Sequence, residues 1–259
     1  MKTEMSNNTW YPSPRYLLRK ALVVKCLQSI KCNGKSVLEV GFGSGDSLCD
    51  YSKLGMTVYG YDFSPQANYE AKKRLEANKI RGVVLYNSEY EAYSQQYDVL
   101  IACEVLEHIE HDEEMLITWN QVLGADGYII ITVPSRMKKW CLNDIWAGHY
   151  RRYERNEIYE KMKKSGFEII YLWSYPFPIN IILDYLLNRE KKSAHGIETH
   201  KQKGFTKIEM TKESGVKREA SWLARALSKK WLLYPWHLLQ LLFINTDLGS
   251  GYVVLAKKL

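Results

Sequence analysis

The chain's 259 residues are 46% hydrophobic and 25% charged, the balance of a folded soluble domain, which excludes a disordered chain or one threaded through a membrane. That length lies near the upper limit of a single hydrophobic core, so one embellished domain is expected rather than two equal ones. Lys and Arg number 36 against 29 Asp and Glu, a formal charge of +7 lying largely in the second half, which suits an anionic partner only weakly.

The N-terminal segment mixes Lys2, Glu4, Arg15, Arg19 and Lys20 with a short apolar run, unlike the continuous stretch of a secretory signal, and predicts a helix. From about residue 36, strands and helices alternate, the order that builds a parallel sheet covered on both faces. An apolar run at 37–40 ends in a Gly-rich turn and leads into a helix over 46–53. A strand is expected over 57–61, then a helix over 64–78 with Ser64 as its N-cap and Pro65 at its first position. Strands follow at 83–86 and 97–102, then a helix at 112–123 and a turn at Ala125-Asp126-Gly127. A β-branched strand at 128–133 is stopped by Pro134. A helix at 155–165, a strand at 167–173 and a seventh strand at 251–256 complete the sheet. The five cysteines, at 26, 32, 49, 103 and 141, form no CxxC pair and are odd in number, so a reducing cytoplasm is the expected compartment.

Between the sixth and seventh strands, residues 191–219 are polar and Lys-rich and predict a mobile loop. Their flanks, 179–187 and 222–244, carry Leu, Trp and Tyr at helical spacing. Neither flank reaches a membrane span, because Pro235 and His237 interrupt the longer one and Lys229 and Lys230 stand within it. The expected organisation is a helical cap over 1–34, an α/β core over 35–175 and 247–259, and a helical lid over 176–246.

The strongest chemical signal is VLEVGFGSG at 37–45, a buried strand entering a turn with Gly41, Gly43 and Gly45. Glycines suit a tight turn whose backbone approaches a ligand, and GxGxG lacks the extra residue of the dinucleotide-binding GxGxxG. Asp62 ends the second strand, where a doubly wound sheet sets a carboxylate beside a nucleoside ribose, and can accept both hydroxyl protons. Glu39 adds a second carboxylate to the same crevice, which suits a cofactor with an ammonium and a sulfonium better than one with a pyrophosphate. That charge logic favours S-adenosylmethionine.

With YDVLIACEVLEHI and LGADGYIIITVPS following in order, the chain resembles class I S-adenosylmethionine-dependent methyltransferases over 36–134, and more loosely over 143–173. The resemblance implies a Rossmann-like sheet of seven strands, the last antiparallel, with helices on both faces. It implies that Glu39 and the turn Gly41-Phe42-Gly43 through Gly45 face the methionine end, and that Asp62, Phe63 and Ser64 hold the ribose and adenine. Ser88, in Asn87-Ser88-Glu89, falls where such enzymes contact adenine, although the familiar Asp is lacking there. An N-terminal helix bearing Trp10, Tyr11, Arg15, Tyr16 and Arg19 would cover the cofactor, with Arg19 as partner of its carboxylate.

CEVLEH at 103–108 lies near the sulfonium and the acceptor in this family, and Glu104 joins the candidate cofactor set. Its ExxEH pattern resembles that of RNA 2'-O-methyltransferases and ubiquinone-pathway O-methyltransferases, in which Glu104, Glu107 and His108, with His149 from AGHYRRY, would bind a divalent cation. The alternative, that these residues cap a helix and orient the cofactor without metal, stays open. His149 and His108 are the candidate catalytic bases, and Arg151, Arg152 and Tyr153 could grip an anionic substrate.

The expected activity is methyl transfer to an oxygen or nitrogen of a small organic, lipid-linked or glycan acceptor selected by the lid. An RNA methyltransferase is the rival that the basic second half suggests, but recognisable RNA-binding modules are absent, which speaks against a nucleic-acid partner. A third reading is a non-catalytic cofactor sensor, or a protein docking peripherally on membranes through 222–244.

Overall fold

The computed structural model describes residues 12–182, Thr206, Thr211 and 230–259, with Lys230 and Trp231 described by their backbone alone. Trp10, Tyr11, the expected loop at 191–219 apart from its two threonines, and much of the expected lid lie outside the described residues.

The chain opens with α1 (Pro14–Ser29), capped by Ser13, whose hydroxyl oxygen accepts from the Tyr16 amide at 3.2 Å. Then come β1 (Ser36–Val40), α2 (Asp46–Lys53), β2 (Thr57–Tyr61), α3 (Pro65–Ala77), β3 (Val84–Tyr86), α4 (Glu89–Ala92) and β4 (Tyr97–Cys103). A 3₁₀ turn at Leu106–His108 leads to α5 (Asp112–Val122) and β5 (Leu123–Pro134). After α6 (Leu142–Ala147), α7 (Arg155–Lys164) and β6 (Phe167–Tyr175), the described chain resumes with α8 (Lys230–Leu241) and β7 (Gly251–Lys258).

The seven strands lie in the order β3-β2-β1-β4-β5-β7-β6. β1 to β5 pair in parallel, whereas β7 enters antiparallel between β5 and β6. This is the Rossmann-like α/β architecture expected, and it sets the carboxyl ends of β1, β2 and β4 along one edge, where such sheets bind ligands.

Alternate strand residues feed opposite faces of the sheet. Val37, Val99, Ile101, Ile130, Val253 and Leu255 join one buried cluster, while Leu38, Leu100, Ala102, Ile129, Ile131 and Val254 join the other. α1 seals the first with Leu22, Val23, Cys26 and Leu27, one helical stripe. Each fully buried aliphatic side chain contributes about 1.5–3 kcal/mol.

Three local expectations are corrected. The turn at Ala125-Asp126-Gly127 is a bulge inside β5: the pairing with β4 shifts register between Tyr97 and Val99, and Asp126 takes φ +62°. Ser64 stands at the N-cap of α3, but its side chain makes no capping bond. The one-turn α4 and the short α6, too brief to show a helical period, went unread in the sequence.

Candidate functional site

β1 delivers the chain into a turn whose three glycines all take left-handed φ, +73° at Gly41, +53° at Gly43 and +71° at Gly45. A Cβ at Gly41 would stand 2.5 Å from Val105 Cγ2, and one at Gly45 2.7 Å from the Ala71 Cβ. Packing within the protein thus demands both glycines, besides any demand for close approach of a ligand. The Phe42 ring is buried against Gly60 in the core, so its place in the crevice is that of its backbone.

Asp62 organises this turn. Its Oδ2 accepts from the Gly43 amide and its Oδ1 from the Ser64 amide, each at 2.9 Å. Burial pushes the carboxyl up, and the two amides oppose the shift. Each oxygen keeps acceptor capacity for a further donor, as a ribose diol requires. Phe63, beside it, is exposed. The Ser88 hydroxyl oxygen accepts from the Glu91 amide at 3.3 Å as the N-cap of α4, which explains a serine at that place without a ligand.

Under α1, Glu39 is 3% exposed and accepts from Ser47 Oγ at 2.6 Å and from the Tyr51 hydroxyl at 3.4 Å. Burial pushes its carboxyl up to about 7 from an ordinary 4.5, against the Ser47 hydroxyl and the Arg19 guanidinium. The folded protein holds a proton here that the unfolded chain releases. The resulting stabilisation is complete below pH 4.5 and is lost as pH rises to about 7. Glu39→Gln should flatten that stretch of the melting temperature plotted against pH, and an unchanged slope in the variant would assign it to another group.

Glu104 takes φ +57°, a strained conformation for a residue with a side chain. Its Oε1 accepts from the Tyr175 hydroxyl at 2.8 Å and from Thr132 Oγ1 at 3.1 Å, and lies 3.7 Å from Arg19 Nη1. Burial would raise its carboxyl, but Arg19 and Tyr175 together hold it below the ordinary range. Arg19 thus pairs with a carboxylate of the protein itself. α1 is fastened above the crevice at a second point, where Tyr16 and Lys20 reach Asp46 at 2.9 and 2.7 Å.

Beyond Glu104, the 3₁₀ turn and the segment after α6 bring together Glu107, His108 and His149, whose ligand atoms all lie within 4.8 Å of one another. The two imidazole rings meet edge to face, 4.6 Å between centroids. Glu104, expected to be a fourth ligand, is not in this group; it is spent on Tyr175, Thr132 and Arg19. Glu107 is fully buried, and neither carboxylate oxygen has a hydrogen-bond partner among the described residues. Burial first, then the Glu104 carboxylate, push its carboxyl well above the usual carboxylate range. Burial and the His149 ring lower His108 to about 3, so it is neutral at physiological pH. Thr211, in the stretch expected to form the lid loop, sets its Oγ1 3.0 Å from His108 Nδ1.

His149 Nδ1 lies 2.9 Å from Asp144 Oδ1, and its Nε2 3.8 Å from Glu107 Oε1. Asp144, fully buried on α6, also receives Arg152 Nε and Nη2, both at 2.8 Å, and the Cys141 amide at 2.8 Å. An Nδ1–H donated to Asp144 would leave Nε2 as the acceptor nitrogen of a neutral ring. Asp144 escaped the sequence reading, although its place five residues before His149 and eight before Arg152 was a usable signal. The substrate-gripping expectation for Arg151, Arg152 and Tyr153 is corrected. Arg151 pairs with Asp112 at 2.9 Å, Tyr153 donates to Asp112 at 2.9 Å, and Arg152 serves Asp144.

Residues 15–172 match the family model described as a methyltransferase domain. The chain belongs to that family. This methyltransferase domain is 29% identical over 148 residues to the ubiquinone biosynthesis O-methyltransferase of Rickettsia canadensis, across 51% of this chain and 62% of that relative. The chain spans about three-fifths of the length of the first curated relatives it matches. Its fold is similar to that of the cyclase SpnF, with TM-score 0.60 and 14% identity over 92% of this chain and 80% of that one. It is also similar to magnesium protoporphyrin IX methyltransferase from Synechocystis PCC 6803 with bound adenosylhomocysteine, with TM-score 0.52 and 17% identity over 61% of this chain and 77% of that one.

Proposed function

We propose that the chain is an S-adenosylmethionine-dependent O-methyltransferase acting on a hydroxyl of a small hydrophobic or lipid-linked acceptor. The observation that carries this reading is the division of labour after β4. Glu104 ties to the cofactor crevice through Arg19 and Tyr175, while Glu107, three residues on, joins His108 and His149 in a separate acceptor-side group. The names of the curated relatives supply the oxygen specificity.

Asp62 and the amides of the Gly41–Gly45 turn would hold the adenosyl group and its tail, and Glu104, kept ionised by Arg19 and Tyr175 against its burial, is the carboxylate that would face a sulfonium. S-adenosylmethionine supplies an electrophilic methyl group when bound. Methyl transfer is an in-line displacement, so the protein's task is to align the acceptor and exclude water.

Glu107, His108 and His149 fit a divalent cation, because three ligand atoms lie within 4.8 Å of one another and the buried Glu107 oxygens have no hydrogen-bond partner among the described residues. Two imidazoles and one carboxylate suit Zn²⁺ or Mn²⁺ better than Mg²⁺. Such an ion supplies Lewis acidity that eases ionisation of a bound hydroxyl. His149, oriented through Nδ1 by Asp144, would present Nε2 as ligand or as proton acceptor in the same geometry. We assign acceptor selection to residues 176–246, a role supported by the approach of Thr211 to His108.

The fold alone does not decide the chemistry, since a cyclase shares it. The test is adenosylhomocysteine release from the purified chain across a panel of phenols, lipid-linked alcohols and amines, with and without chelator. Turnover of hydroxyl acceptors, abolished by chelation and restored by Mn²⁺ or Zn²⁺, is expected. An absence of calorimetric heat with S-adenosylmethionine and with adenosylhomocysteine would overturn the reading.

A further inference from the structure

α1 and α8 pack together through Leu18, Leu233 and the neighbouring Leu17 and Trp236, and neither helix contains an acidic residue. Gln240 Nε2 donates to the Leu18 carbonyl at 3.3 Å, which fixes the inner face of α8. The outer face carries Tyr234 and Leu238, and Leu242 follows directly after the last helical residue; the three are 61%, 48% and 76% exposed. Ile181 and Ile182 are exposed as well, in the segment whose Ile179 packs on Leu233. Among the described residues no helix is long and apolar enough to cross a membrane. An apolar stripe on a short helix therefore suits a surface rather than a span.

α1 carries Arg15, Arg19, Lys20 and Lys25, and the sequence around α8 is basic. No Asp or Glu occurs from 220 to 246, and residues 183–230 carry 12 Lys and Arg against 6 Asp and Glu, nearly all of the chain's formal +7. Lys25 is exposed on α1, the helix that packs against α8. A second copy of the chain would bring like charge against like charge around this stripe. An anionic bilayer would meet it with opposite charge.

We infer that the Tyr234–Leu238–Leu242 stripe docks on an anionic membrane surface, with α8 lying in the interface plane and the chain's basic excess supplying long-range attraction. Docking of this kind does not depend on methyl transfer. It would bring the mouth of the crevice that α1 covers to the level at which a lipid-linked acceptor resides.

The experiment is flotation of the full chain on phosphatidylcholine vesicles with and without phosphatidylglycerol, for the wild type and for Leu238→Glu/Leu242→Glu. Both leucines are well exposed, so an unchanged melting temperature should show that the variant folds. The wild type is expected to float with phosphatidylglycerol vesicles, in a salt-sensitive manner, and not with phosphatidylcholine alone. The double variant should bind roughly tenfold less or worse. The inference fails if the wild type floats with neither vesicle or equally with both, or if the variant floats as well as the wild type. It fails equally if light scattering shows a wild-type dimer that the two substitutions split, which would assign the stripe to self-association.

Discussion

Asp62→Ala is expected to weaken adenosylhomocysteine binding roughly a hundredfold in calorimetry, with a smaller effect on the melting temperature. The carboxylate does two things: it gathers the Gly43 and Ser64 amides at 2.9 Å each, and it offers the remaining lone pairs to a ligand. Removing it leaves two backbone donors at the crevice edge to solvent and loosens a turn already confined to left-handed φ, so the loss falls chiefly on the ligand that the ordered turn would hold. Asp62→Asn offers no rescue, because it replaces one acceptor with an NH₂ group facing an amide. Near-wild-type affinity in both variants would remove Asp62 from the cofactor site and require the crevice to be sought elsewhere on the sheet edge.

Asp144→Ala should have the larger effect on stability. Arg152 is buried beside it and His149 leans on it, so truncation strands a buried guanidinium and frees an imidazole. Breaking a buried pair from one side costs about 3–5 kcal/mol. For a protein of this size that corresponds to a fall of about 10 °C in melting temperature. Burial works against the Asp144 carboxylate, but His149 and Arg152 hold its pKa far below the ordinary 3.8. Its contribution is therefore present above pH 3.8 and is lost as pH falls towards the folded value. The gap between variant and wild type should be complete at pH 7 and narrow on acidification. A uniform gap at all pH values would mean that the loss is one of packing rather than charge. If Asp144 also orients His149 as a metal ligand, Mn²⁺ or Zn²⁺ affinity should fall about 10–100-fold.

Much of this frame was legible because local pattern and tertiary structure agree. The β-branched run before Pro134 forms β5, the glycines at 41, 43 and 45 all take left-handed φ in a turn after β1, and Asp62 stands at the end of β2 as its position predicted. The misreadings at the site concern polar side chains whose partners lie outside the motif in which they were read. Glu104 sits three residues before Glu107, yet it is claimed by Tyr175, 71 residues later in the chain, and by Arg19 of the N-terminal helix. Arg151, Arg152 and Tyr153 look like an anion grip in isolation. Only the fold reveals that Asp112 and Asp144 already occupy them. Spacing cannot report such competition, since a buried acid and a solvated one read alike in sequence.

The antiparallel β7 also has a kinetic consequence. β6 hydrogen-bonds to no strand but β7 among the described residues, and β7 is drawn from much later in the chain. Tyr175, the last residue of β6, is therefore aligned by a contact of high sequence separation, the kind whose loop-closure entropy delays its formation. The hydroxyl that steadies Glu104 becomes available only once this late pairing is made, so a half-assembled sheet would possess its glycine turn but leave Glu104 without its Tyr175 partner.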